Sequence, residues 1–291
     1  MSKFRPRDFF RAEDMGEVTQ LLSKYGSRAR VIAGGTDLLV SQPPGVECLV
    51  DISSLKLSYV RKEDDGINVG AATPLVSLED SSILSTDPYR VVPEAVNQLA
   101  TPTIRNMATV GGNLCNASPA ADLAVVLMVL DARVKVFGTR GCRELPIGEF
   151  FKDVKRTAMM EDELLVEVHI PQGAGKSAAA FQKLRHHQTS IDLAIVNVAT
   201  RLSCSGDICQ EARIALGAVA NTPIYARRAE EVLSGKKMDA GLVEKAGEVA
   251  AQESRPIDDV RASGNYRRRM VAVLVRRALE ESARRCGLWP E

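Results

Sequence analysis

Two glycine pairs are the residues best placed to do chemistry in this sequence. They are Val31-Ile32-Ala33-Gly34-Gly35-Thr36-Asp37-Leu38 and Thr109-Val110-Gly111-Gly112-Asn113, and each closes an apolar stretch. Glycine admits positive φ and lets a ligand approach the main chain closely. Successive N–H groups in such a turn form a concave anion site. Thr36, Thr109 and Asn113 add side-chain donors. Hydrogen bonds to a charged group contribute ~1.5–3 kcal/mol each, so two adjacent turns of this kind would hold one pyrophosphate without an arginine. The pattern favours a dinucleotide. Bends lying far apart, or amides spent on internal contacts, would exclude that arrangement, and either pair read alone could serve only as a tight turn. Neither G-x-G-x-x-G nor G-x-x-x-x-G-K-S/T occurs, so Rossmann and P-loop geometries lack support.

Other chemistries find less support. The six cysteines, at 48, 115, 142, 204, 209 and 286, include no C-x-x-C pair, which argues against a zinc or iron–sulfur site in this chain. The histidines are His169, His186 and His187; the adjacent pair reads as solvated loop imidazoles, and no metal ligand is assigned. Lys and Arg total 38 against 37 Asp and Glu. That balance argues against nucleic acid, whose affinity needs clustered positive charge. The Arg-rich stretch after Arg255 reads as a solvated helix or one that docks on a partner subunit. The longest apolar run, Ala120 to Leu130, contains Asp122 and falls short of the ~20 residues of a membrane span. The first residues lack the apolar core of a signal peptide. A cytoplasmic location with reduced thiols is the expectation.

The elements that must position the glycine pairs can be read in order. Asp14 caps a helix with Glu17 as its capping-box partner, Met15, Val18, Leu21 and Leu22 share a face, and Gly26 ends it. Arg30 to Ala33 and Cys48 to Ile52 read as strands, and Leu38 to Ser41 opens a further element. Tyr59 to Lys62 and Ile67 to Gly70 read as a hairpin about Asp64-Asp65-Gly66. Pro93 to Ala100 reads as helical. Ser118-Pro119 predicts an N-cap and first helical residue, with the helix running from Ala120 to about Leu130. Val134 to Phe137 and the alternating Leu164, Val166, Val168 and Ile170 are strand-like, as are Ile191 to Leu202 and Arg213 to Val219. Helices are expected over 225–234, 239–252 and Gly264 to Arg285. Gln172 to Lys176 reads as a linker, dividing the chain near residue 175 into two α+β domains.

Beyond these readings, the sequence resembles a known family. Ala33-Gly34-Gly35-Thr36-Asp37-Leu38 and the stretch from Thr109 through Asn113-Leu114-Cys115-Asn116-Ala117-Ser118-Pro119-Ala120-Ala121 to Asp122 resemble the two FAD-binding signatures of the medium subunit of molybdenum hydroxylases, the enzymes related to xanthine dehydrogenase and carbon monoxide dehydrogenase. Ile104 to Ala108, Phe181 to Leu184, Asp192 to Ala194, Gly217 to Pro223 and Asp259 to Arg267 also fit, so the resemblance spans nearly the whole chain in order. It implies an α+β flavoprotein: residues 1–175 as an FAD-binding domain of vanillyl-alcohol-oxidase-like type, and 176–291 as a small domain of antiparallel sheet and helices. It implies that Val31 to Leu38 and Thr109 to Asn113 wrap the pyrophosphate. Asp122 would take a hydrogen bond from the ribityl or ribose part, Leu164 would lie against the rings, and Lys183 would reach the flavin or phosphate region, where a cation stabilises reduced flavin. Without the family, Asp122 reads as a first-turn helix acid, Leu164 as core and Lys183 as a surface lysine. The subgroup with a cluster inserted in this subunit is disfavoured, because Cys142 stands alone between Cys115 and Cys204.

The function so implied is electron transfer, with no catalytic acid or base in this chain. A small partner subunit with two 2Fe-2S clusters would deliver electrons, and a large molybdopterin-binding subunit would oxidise the substrate. The flavin would pass electrons to NAD+, a quinone, oxygen or a carrier protein. A dimer of heterotrimers is the implied assembly. Two other readings stay open: a self-sufficient flavin-dependent oxidoreductase, and a non-catalytic nucleotide-binding assembly subunit.

Overall fold

The computed structural model describes residues 4–173, 175–187 and 192–289. Three larger sheets organise the described residues, beside a two-stranded one of Phe151–Asp153 and Arg156–Thr157. The first is parallel, with Cys48–Asp51 between Asp8–Arg11 and Ala29–Ile32. The helix Met15–Tyr25 links its outer strands. As the sequence predicts, Asp14 accepts from the Glu17 N–H at 2.8 Å and Gly26 ends the helix with φ 54°. Glu17 reaches back one residue further than a capping box requires, to the N–H of Glu13. The strand Asp8–Arg11 was not legible in the sequence.

The second sheet is antiparallel, in the order Val60–Glu63, Gly66–Gly70, Leu164–Pro171, Arg133–Gly138 and Gly141–Pro146. Its middle strand departs from the single alternating set of Leu164, Val166, Val168 and Ile170 that the sequence suggests, because an irregularity between Leu165 and Glu167 divides that set between two cores. Leu164 and Val166 pack into the cluster of the first sheet, while Leu165, Val168 and Ile170 face the largest cluster. The third sheet pairs Lys176–Leu184, Val196–Ser205, Ile208–Gly217 and Ile224–Tyr225, all antiparallel. The helices Arg227–Leu233, Ala240–Glu253 and Gly264–Cys286 share an apolar core with it. The strands read as Ile191 to Leu202 and Arg213 to Val219 are thus shifted, and they form a longer hairpin closed by the Ser205↔Ile208 pair. Residue 191 lies outside the described residues.

Between the second and third sheets runs the helix Asp122–Val129, all eight residues of which are buried. A helix apolar on every side belongs inside a core. Each of its fully buried Leu, Val and Met side chains contributes about 1.5–3 kcal/mol. Ala179, Phe181, Ala199 and Ala215 of the third sheet join the same cluster, and the Tyr225 hydroxyl donates to Met128 O at 3.0 Å. This helix starts three residues later than the first helical position that Ser118-Pro119 predicts. Ser118 instead accepts from its own neighbour, the Ala120 N–H, a local turn that competes with capping. Pro119 O is taken by the Ala218 N–H at 2.7 Å, so this segment is drawn onto the third sheet. The helix read from Pro93 is Val91–Val96, which places the proline in the first turn, where its missing N–H does no harm.

In the basic C-terminal helix Gly264–Cys286, Arg268, Arg269, Arg276, Arg277 and Arg284 are exposed, as a solvated helix requires, but Arg267 and Arg285 depart from that expectation. Arg267 is 1% exposed. It donates to Ile195 O at 2.8 Å, Ala218 O at 3.1 Å and Asp259 Oδ1 at 2.7 Å. Arg285 donates to Ala179 O and Glu94. Among the described residues no helix is long and apolar enough to cross a membrane.

Arg261 and Arg267 hold the Asp259 carboxyl well below the ordinary carboxylate range. A depressed native value means this contribution is complete above the unfolded-state value near ~3.9 and is lost as pH falls toward the native value. Asp259→Asn leaves Arg267 buried without its anion and is expected to cost about 3 kcal/mol at neutral pH. Urea unfolding of both proteins should show that gap narrowing as pH drops below about 4.

Candidate functional site

The two glycine bends lie against each other. A β-carbon on Gly34 would stand 1.8 Å from the Met107 carbonyl oxygen. Only a residue without a side chain lets the chain beyond the strand end at Ile32 turn onto the C-terminal end of the short helix Pro102–Met107, which precedes the second bend. Gly111 is constrained in the same way, because its β-carbon would lie 2.9 Å from the Ala71 carbonyl oxygen. A cleft of about 700 Å³ opens along this seam, mostly apolar in lining. That size suits a cofactor-sized ligand.

The bends offer different chemistry. The N–H groups of Gly34, Gly35, Thr36 and Asp37 meet no protein acceptor among the described residues, and Gly35 has φ 68°. This is the concave row of donors that the sequence suggests. The second bend overturns the same expectation. Val110 N–H goes to Thr73 O, Gly111 N–H to Ala71 O, Asn113 N–H to Thr109 O, and Gly112 N–H to Thr109 Oγ1. The reason is local: Val110–Cys115 is a helix capped by Thr109, and its first amides are satisfied by the cap and by the 71–73 loop. Here the glycines serve close packing. Asn113 of this bend lines the cleft, and its buried Oδ1 has no hydrogen-bond partner.

Val31, Ile32, Ala33, Gly34, Gly35, Thr36, Asp37, Leu38, Thr109, Gly111, Gly112, Asn113, Asp122, Leu164 and Lys183 all line the cleft. Val110 does not; it is 1% exposed and sits in the core. Asp122 opens the helix Asp122–Val129, where the helix dipole favours a carboxylate. Lys183 is no surface lysine. Its Nζ donates to Asp122 Oδ2 at 2.6 Å and to Gln98 O at 3.1 Å, and the two side chains are 2% and 4% exposed. Burial pushes the Asp122 carboxyl up, against Lys183 and Asn197, which pull it down.

Three partners escaped the sequence reading. Asn197, fully buried, donates to Asp122 Oδ1 at 2.6 Å; its only signal was a lone amide within an apolar strand. Asn116 donates to Asp37 at 2.9 Å and accepts from Lys155. That chain of contacts ties the first bend to the segment after the second and brings a cation to the cleft wall. His187 bonds Asp192 through its N–H at 2.7 Å and its Nδ1 at 3.0 Å.

If the Gly34 contact holds the cleft together, Gly34→Ala forces a β-carbon into the Met107 carbonyl. An overpacking loss of about 1–3 kcal/mol, together with weaker FAD retention, is expected from thermal unfolding and FAD titration. Gly241→Ala, in a helix where the new β-carbon meets only ordinary contacts, should instead stabilise by up to about 1 kcal/mol.

Residues 2–173 match the family profile described as "FAD binding domain in molybdopterin dehydrogenase", and residues 179–282 match "CO dehydrogenase flavoprotein C-terminal domain". The carbon monoxide dehydrogenase medium chain of Afipia carboxidovorans is 32% identical over 282 residues, covering 96% of this chain and 97% of that one. The xanthine dehydrogenase FAD-binding subunit of Escherichia coli is 27% identical over 284 residues, covering 96% and 97%. The structure of carbon monoxide dehydrogenase from Hydrogenophaga pseudoflava superposes with a TM-score of 0.93 at 30% identity, over 98% of this chain and 100% of that chain. Two matched profiles in sequence order, over a fold with a paired-glycine cleft, place the chain in the FAD-binding medium-subunit family of the molybdenum hydroxylases, of carbon monoxide dehydrogenase and xanthine dehydrogenase type.

Proposed function

We propose that the chain is the electron-transfer subunit of a heterotrimeric molybdenum hydroxylase. Residues 1–175 form its FAD-binding domain and 176–291 its C-terminal domain. FAD occupies the cleft, with its pyrophosphate over the free amides of Gly34 to Asp37 and the Asn113 side chain facing it. Leu164 lies against the rings, and Asp122 and Lys183 form the polar wall. When bound, FAD supplies the redox chemistry; the chain binds and orients it and sets its electrostatic surroundings. Electrons come from 2Fe-2S clusters of a small partner subunit, after substrate oxidation in a large molybdopterin-binding subunit. They leave to an external acceptor, NAD+, a quinone, oxygen or a carrier protein. A cytoplasmic dimer of heterotrimers is the assembly that this reading implies.

The observation that carries the partner reading is the rim of the cleft. Leu193, 61% exposed, lines the cleft, and Leu39 and Met107, 50% and 56% exposed, adjoin Gly35 and Gly34 of its wall, with Val40, next in the chain to Leu39, 83% exposed. Large apolar side chains gathered at one mouth mark a docking surface more often than chance exposure does.

Co-expression with the neighbouring large and small subunits tests the reading. FAD should be released on denaturing the purified complex, and the flavin should be reduced by substrate only when the partners are present. Val40→Glu with Met107→Glu should leave FAD bound while abolishing co-purification. Absence of FAD after reconstitution would overturn the proposal. Steady turnover by the isolated chain would favour a self-sufficient flavoenzyme, and tight FAD that the partner clusters never reduce would favour a structural assembly role.

A further inference from the structure

Asn197 is held in an arrangement that packing alone does not explain. It lies in the strand Val196–Ser205, opposite Gly217 in the antiparallel register. Its side chain folds over that glycine so closely that a β-carbon there would stand 1.9 Å from Asn197 Oδ1. The side chain is fully buried, and Oδ1 has no hydrogen-bond partner. A buried amide normally satisfies both ends. This one leaves its carbonyl oxygen unpaired while Nδ2 reaches Asp122 Oδ1 at 2.6 Å, with a longer 3.4 Å contact to Ala120 O.

The opposite oxygen of Asp122 holds Lys183. Lys183 spends a second N–H on Gln98 O, and its third has no acceptor among the described residues. Both ends of the ion pair line the cleft. One rotamer of Asp122 serves both contacts, and Asn197 is the neutral donor that selects it. An acidic residue in its place would set a second negative charge beside Asp122, and an apolar one would leave Oδ1 of a buried carboxylate unpaired.

We infer that Asn197 is a positioning residue for the cofactor: by fixing the Asp122 carboxylate it anchors the Lys183 ammonium at the cleft wall, where that positive charge favours the electron-rich form of the bound flavin. The inference rests on the cleft being the FAD seat, and the experiment separates the two. FAD dissociation constants, flavin midpoint potentials and thermal midpoints are measured on the assembled complex for wild type, Asn197→Ala, Asn197→Asp and Lys183→Met. Asn197→Ala should weaken FAD binding roughly tenfold and lower the flavin potential in the same direction as Lys183→Met. Asn197→Asp keeps the size of the side chain but replaces the donor with an acid beside Asp122, so it should lower the potential further, and Lys183→Met, which leaves that strand's packing intact, guards against a folding failure. A thermal midpoint that falls in both Asn197 variants while FAD affinity and potential stay at wild-type values would overturn the inference and leave Asn197 a packing residue. Unchanged affinity and potential in Lys183→Met would overturn the cleft assignment, and the role of Asn197 with it.

Discussion

The Met107 carbonyl stands where a side chain on Gly34 would have to begin, and the cleft depends on that contact. It joins the end of a parallel strand to the C-terminal end of the helix Pro102–Met107. The amides of Gly34 to Asp37, in residues that line the cleft, are left without a protein acceptor because the chain turns there instead of continuing its ladder with Cys48–Asp51. The Asn116 bridge to Asp37 fixes the same turn from the far side. Backbone packing of this kind is hard to deform, so the donors stand in place before any ligand arrives, which reduces the ordering cost of binding.

A second constraint joins the two halves of the chain. The Asp122–Val129 helix is covered on one side by elements of the first half and on the other by the third sheet. Asp131, just beyond its end, accepts from Arg201 at 2.6 Å and Arg213 at 3.0 Å, both on the third sheet. Asp122, at its start, is held by Lys183 and Asn197 from the same sheet. Both ends of one apolar helix are therefore pinned by charge, and the pin at its start is also the polar wall of the cleft. Depth in the core and chemistry at the site meet in a single residue.

Much of this was legible in the sequence. The first helix announced itself through Asp14, Glu17 and Gly26. The 164–171 strand showed in its apolar spacing, though not the irregularity that divides its side chains between two cores, and the paired glycines marked the cleft. The fate of the second bend's amides was not legible, since it depends on carbonyls of Ala71 and Thr73 that are remote in sequence. Arg267 was hidden among identical neighbours. Only its helical phase with Val271, Leu274 and Ala278 sets it on the buried face, and a charge there is tolerated because Asp259 and two carbonyls meet it. Asn197 broke an apolar run and so gave a faint signal, but nothing local says which acceptor it serves.

The strand Leu164–Pro171 is a party wall between two cores, with Leu164 and Val166 on one side and Leu165, Val168 and Ile170 on the other. Where many strands have one wet face and tolerate some slippage, here a shift of a single residue would turn each face's set of side chains into the wrong compartment at once. The irregularity between Leu165 and Glu167 lets the strand serve both compartments without such a slip. Its alignment is therefore specified twice over, and Leu164 inherits that certainty of placement at the wall of the cleft.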